Sequence, residues 1–186
     1  MTEVSNKFST KMVAEAGIML ALAQVLSMVE LFKMPQGGTI TPGSMVPIII
    51  FAVRWGLGPG VLVGVVYGIM QMLLGGYVLV PIQAILDYPL AYGFIGLVGL
   101  GHSYYERIAK ENDRKAYISI GCLTVLAIFL RMMSHVVSGV VFFYEYAGEM
   151  NPWIYSLGYN GSFLAVEALI CILLLVLLLK PISKIK

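Results

Sequence analysis

The stretch from Gly75 to Gly101, GGYVLVPIQAILDYPLAYGFIGLVGLG, is long enough to cross a bilayer and holds a single charge, Asp87. A helix needs about 20 apolar residues to span the hydrocarbon core, so a run of this kind belongs in lipid. Similar runs recur along the chain. With 59% hydrophobic and 12% charged residues among 186, a water-soluble domain could not hide its apolar surface. The short alternating segments of a membrane β-barrel are absent. The expectation is an all-α, polytopic membrane protein, with residues 1–186 forming one transmembrane domain and the lipid bilayer as its surroundings. A net charge of +2 gives no ground for nucleic-acid binding.

Six transmembrane helices can be drawn: about Thr10 to Leu31, Ser44 to Trp55, Pro59 to Leu74, Val80 to Gly101, Ala116 to Phe143 and Pro152 to Leu179. The second is too short for a full span and is expected to tilt or to end in protein-buried backbone. Asn151 suits an N-cap, with Pro152 at the first helical position. Between the helices lie a Gly/Pro-rich loop, KMPQGGTITPG, a turn GLGPG, a charged connector, SYYERIAKENDRK, and a second polar loop, YEYAGEMNPW. The first helix contains Glu15 and Gln24 and no prompt cleavage site, so it reads as a retained helix and not a signal peptide. Cys122 and Cys171 read as buried free thiols.

Basic residues set the orientation. With both termini cytoplasmic, the inner side holds Lys7, Lys11, Arg54, Arg107, Lys110, Arg114, Lys115, Lys180, Lys184 and Lys186, ten of the twelve Lys and Arg residues. Lys33 falls outside and Arg131 within the membrane, while Glu30, Glu145 and Glu149 mark the outer segments. No internal repeat of the kind many secondary transporters carry is visible.

An ionisable side chain within a span costs at least ~2.5–3.5 kcal/mol on insertion scales, so Asp87 needs a partner, a wet cavity or a ligand. Gln83 lies one turn before it and Tyr88 directly after. On the fifth helix Arg131 and His135 are four residues apart and share a face. On the sixth, Asn160 and Glu167 share a face, and Tyr155 and Tyr159 stand one turn apart near the outer end. A carboxylate among aromatic rings suits an organic cation, through Coulomb attraction and cation–π contact. An asparagine can donate to and accept from a heterocycle edge. Two bland readings compete: Asp87 could pair with Arg131 in the bundle interior, or Glu167 could be the structural partner of Arg131. Gln24 and Gln71 read as interhelical hydrogen-bonders, and Tyr92, Tyr104, Tyr105 and Tyr117 as interfacial tyrosines.

Ser134 and His135 point about 100° apart on a helix and cannot form a nucleophile–base pair. No GxSxG or HExxH pattern occurs, and two histidines make no metal site, so neither catalysis nor a metal or cofactor is expected. No Walker motif is present, so any ATP use would need another subunit. On the first helix Gly17 and Ala21 make a small-residue face, fit either for close packing within the bundle or for docking another membrane protein.

The pieces PQGG (Pro35 to Gly38), RWG (Arg54 to Gly56), GGYVLVPIQAILDYPLAYG (Gly75 to Gly93), SHVVSGVVFF (Ser134 to Phe143) and YSLGYNGS (Tyr155 to Ser162), in this order and spacing, resemble the thiamine-specific substrate-binding subunit, or S component, of energy-coupling factor transporters. The resemblance covers nearly the whole chain. It implies capture of external thiamine, then docking with a shared module of one membrane coupling protein and two ATPases. By that resemblance Asp87 and Tyr88 would contact thiamine, and His135 would lie against its rings. Tyr77, Tyr155 and Asn160 would bind polar edges, and Phe143 would stack where some relatives have Trp. Gly17 and Ala21 would face the coupling protein. This chain has Asp87 where some relatives have Glu, and lacks a loop tryptophan some of them carry. Two other functions fit the residues less fully: an S component for another vitamin or precursor, and a free-standing cation-coupled carrier using Asp87, His135 and Glu167 as a proton relay.

Overall fold

The computed structural model describes residues 9–111 and 113–184; Lys7 and Lys186, placed on the inner side by charge, lie outside the described residues. Six helical spans form the domain among the described residues. The chain enters through α1 (Thr10–Ser27), a two-stranded antiparallel hairpin of β1 (Phe32–Lys33) and β2 (Thr39–Ile40), α2 (Val46–Trp55) and α3 (Leu57–Leu73). The fourth span, Pro81–Ile108, is composite. It comprises α4 (Pro81–Ile85), a π-helical turn (Leu86–Leu90), α5 (Ala91–Ile95), a 3-10 stretch (Gly96–Gly101) and the start of α6 (His102–Glu111). The long helices α7 (Arg114–Phe142) and α8 (Pro152–Ser183) complete the bundle. Asn151 caps α8 by accepting from the Trp153 amide at 2.9 Å.

Four spans are long and apolar enough to cross a membrane, while α2 and α3 are shorter. Helix α2 is short because it is internal: every residue from Val46 to Val53 is buried. The long helices turn apolar residues such as Phe129, Leu173 and Leu177 outward, as lipid contact requires. Helix α1 is the most peripheral element, burying only Met12 and Ala23. Polar contacts tie it on: Gln71 donates to Gln24 at 3.1 Å and to Ser27 at 3.0 Å, and Tyr67 donates to the Ala23 carbonyl at 3.2 Å.

A glycine stripe joins α3 to the fourth span. A Cβ placed on Gly64 would meet the Tyr92 carbonyl, and one on Gly68 would meet the carbonyl of Tyr88. Gly60 and Gly96 face each other in the same way, and Gly99 lies against Gly56. The two backbones therefore touch, as small-xxx-small packing allows. Part of this stripe lies in GLGPG, which reads as a turn in the sequence; Gly58 to Gly60 are already helical.

Other expectations change. The first helix ends at Ser27 and not at Leu31, because the Leu31 amide is bound to the Ile40 carbonyl at 2.8 Å as the hairpin begins. The charged connector is largely helical: α6 extends the fourth span to Glu111, and Asp113 then caps α7 by accepting from the Lys115 amide at 2.8 Å. Cys122 is exposed on the outer face of α7, while Cys171 is buried as expected. Arg54 lies in the last turn of α2. It pairs with Glu15 of α1 at 3.2 Å, which accounts for the acid in the first helix.

Candidate functional site

The fourth span, α7 and α8 form three walls of a cavity of about 530 Å³, roofed by the hairpin. Pockets for small organic ligands fall in the range of about 300–1,000 Å³. Asp87 enters from the π-helical turn. Pro89 has no amide hydrogen and breaks the regular ladder there, and Ser134 of α7 donates to the Leu86 carbonyl at 2.6 Å within that turn.

The Asp87 carboxylate is held by three side chains. Oδ2 accepts from Gln83 Nε2 and from Ser138 Oγ, each at 2.7 Å. Oδ1 lies 2.9 Å from His135 Nδ1. Gln83, which is 1% exposed, is fixed in turn by the Leu79 amide and the Tyr77 carbonyl. These three contacts fix the orientation of the carboxylate.

Neither expected partner of Arg131 is its partner: among the described residues, no carboxylate lies within 4.0 Å of the guanidinium. Arg131 stacks on the Tyr92 ring, 4.2 Å from its centre, and donates to the Tyr92 hydroxyl at 3.0 Å and to Met45 sulfur at 2.7 Å. Its Nε lies 3.4 Å from His135 Nε2. Glu167 instead accepts from the amide and hydroxyl of Thr41, at 2.6 and 2.7 Å, anchoring the end of the hairpin. The cavity wall thus holds two buried or half-buried carboxylates, Asp87 and Glu167, against one guanidinium, while the exposed Glu30 and Lys33 that also line it pair with each other at 3.0 Å, leaving one negative charge in excess.

Helix α8 sends Tyr155, Tyr159, Phe163 and Glu167 along one face at four-residue spacing. Neighbouring rings on it are 6.2 and 6.1 Å apart, and the Tyr159 hydroxyl accepts from the Gly38 amide at the hairpin tip, 3.0 Å away. Gly37 next to it takes φ of +93°, the left-handed conformation this tight turn requires. Asn160 donates to the Ser156 carbonyl at 2.9 Å and to its hydroxyl at 3.2 Å, which leaves Oδ1 as an acceptor on the cavity side. The Phe143 ring lies between Tyr77 at 6.0 Å and Tyr146 at 6.3 Å.

All seven residues singled out for binding, Tyr77, Asp87, Tyr88, His135, Phe143, Tyr155 and Asn160, line this one cavity. Gly17 and Ala21 do not; they sit on the exposed side of α1, and nothing lies within 4 Å of a Cβ on Gly17. Ser138, Tyr159 and Tyr92 line the cavity as well; Tyr159 stands out in the sequence only as the aromatic one turn after Tyr155. Ser138 was legible in principle, one turn after His135, but serine is common in membrane helices. Tyr92 was set aside as interfacial, though it lines the cavity beneath Arg131.

Residues 13–186 match the family described as thiamine transporter protein (Thia_YuaJ). The chain is 35% identical over 169 residues to the thiamine transporter ThiT of Bacillus subtilis, covering 88% of each. It is 35% identical over 126 residues to ThiT of Lacticaseibacillus paracasei, covering 63% of this chain and 62% of the relative. Among solved structures it resembles ThiT from Listeria monocytogenes, with a TM-score of 0.84 and 27% identity over 94% of this chain and 97% of that one.

Proposed function

This chain belongs to the thiamine transporter protein family, and from that premise we propose that it is the thiamine-binding S component of an energy-coupling factor transporter in the plasma membrane. Thiamine carries a fixed positive charge on its thiazolium ring and a hydrogen-bonding aminopyrimidine. The observation that carries the reading is the state of Asp87: an oriented carboxylate on the cavity wall, with no Lys or Arg within 4.0 Å of it among the described residues. The single excess negative charge of the wall matches a monocation.

In this reading Asp87 supplies the counter-charge, and the His135 and Phe143 faces stack on the ligand's rings. Tyr77, Tyr88, Tyr155 and Asn160 meet its polar edges. The chain binds and does not convert its ligand, and transport energy comes from two ATPases acting through a membrane coupling protein. The exposed Gly17–Ala21 face of α1 is the surface for that protein, with both chain termini on the cytoplasmic side. A proton-relay carrier is disfavoured, because no hydrogen bond links His135 to Glu167 among the described residues. The relay ends on Arg131, which cannot take up a proton.

The test is calorimetric titration of detergent-purified protein with thiamine, riboflavin and biotin. Heat is the better readout, because Trp153 is 57% exposed and does not line the cavity. Tight binding of thiamine alone is expected; equal heats for all three ligands, or none for thiamine, would remove the reading.

A further inference from the structure

We propose that Arg131 is a positioning residue for ligand selection: it holds His135 as the neutral tautomer protonated on Nδ1, so that an uncharged ring face meets the cationic ligand and Asp87 keeps its charge for that ligand. The inference takes the ligand's charge from the thiamine reading. The tautomer itself is a property of the ligand-free protein.

A guanidinium has five donors and no acceptor. With Arg131 Nε 3.4 Å from His135 Nε2, that ring nitrogen must present its lone pair. The proton then sits on Nδ1, which donates to Asp87 Oδ1 at 2.9 Å. The opposite tautomer would set an N–H against an N–H at one end and a lone pair against a carboxylate at the other. An imidazolium would add a second positive charge beside a buried one. Arg131 is well placed to enforce this because no carboxylate among the described residues lies within 4.0 Å of it; its other contacts are Met45 sulfur and the ring and hydroxyl of Tyr92.

The groups facing His135 from neighbouring elements are few. The fourth span supplies Asp87, and Tyr92 of α5 reaches the imidazole through Arg131. Glu167 of α8 is bound to Thr41, and Tyr88, Tyr155 and Tyr159 line the cavity. Without Arg131, the cationic donor at Nε2 is gone, and the Asp87 carboxylate at Nδ1 is the charged group left in contact with the ring among the described residues. Protonated, it would use Asp87 as its own counter-ion and repel a cation.

Two measurements test this. The first is the 15N spectrum of histidine-labelled, ligand-free wild type, with His135→Gln assigning the two histidines. The expected signature at neutral pH is a protonated Nδ1 and a bare Nε2. An Nε2–H tautomer or an imidazolium overturns the proposal. This readout needs neither thiamine binding nor the folding of an Arg131 variant.

The second is thiamine affinity by calorimetry at pH 8 and pH 5.5. Wild type should change less than about threefold, Arg131→Met should weaken at least about tenfold more in acid, and Arg131→Met/His135→Gln should lose that extra dependence. Parallel pH profiles for wild type and Arg131→Met overturn the proposal. Should wild type bind no thiamine at any pH, the functional reading fails, and the nitrogen spectrum still decides the tautomer.

Discussion

Arg131 and Asp87 share a cavity wall but do not meet: His135 stands between them, 3.4 Å from the guanidinium and 2.9 Å from the carboxylate. A direct ion pair would have consumed the one charge the site can offer a cation. The interposed ring keeps the two charges apart while hydrogen-bonding both.

Replacing Asp87 by Asn is expected to weaken thiamine binding at least tenfold, about 1.4 kcal/mol. The substitution removes the charge, and an amide nitrogen at either position would face the donors Gln83 and Ser138 or His135. Calorimetry on the purified variant reads the change, and an unaltered affinity would exclude Asp87 from the site.

The glycine stripe predicts a contrast between two alanine substitutions. Gly68→Ala drives a methyl into the backbone at Tyr88 and Pro89, an overpacking worth about 1–3 kcal/mol, and displaces the turn that carries Asp87. Gly17→Ala meets open space and gains helix propensity, so the isolated chain should keep or slightly raise its melting temperature. Thermal unfolding of both variants checks this; equal effects would mean that α3 and the fourth span are not in backbone contact.

Glu15 and Arg54 form an ion pair in which each side chain is only 14% exposed. Removing one partner strands the other charge, so Arg54→Met should cost about 2 kcal/mol or more, and adding Glu15→Leu should recover much of it. A double-mutant cycle on thermal unfolding measures the coupling. Strictly additive losses would show that the pair contributes nothing.

Tyr159→Phe deletes the acceptor of the Gly38 amide while keeping the aromatic face. A hydrogen bond of this kind is worth about 0.5–1.5 kcal/mol net, so bound thiamine should dissociate about 2–10 times faster. Stopped-flow displacement tests it. An unchanged rate would mean that the hairpin tip does not hold the ligand in.

Asp87 was legible because a lone charge in an apolar run has few physical explanations, and Gln83, His135 and Asn160 were legible as polar groups at helical spacing. The number of spans followed from hydrophobic run length alone. What the sequence hid was partnership across the bundle. Arg131 was expected to find a carboxylate, but an aromatic face, a hydroxyl and a sulfur hold it instead, and none of these carries a charge that would mark it in a sequence. Glu167 was expected to balance Arg131, but it binds Thr41, a residue 126 positions away. The irregular turn at Leu86–Leu90 was also invisible: Pro89 announces a break, but not its π-helical form. The glycines of α3 carry no mark of the contact they make: GLGPG reads as a turn, and Gly64 and Gly68 within the helix give no sign of which backbone they touch.

The direct backbone contact between α3 and the fourth span has a mechanical consequence for the wall of the cavity. Two backbone segments pressed together without intervening side chains have no rotamers to trade and little room to slide, which gives the turn carrying Asp87 a firm backing. The opposite rim is held differently: the described polar anchors of the hairpin to α8 run through Gly38 and Thr41.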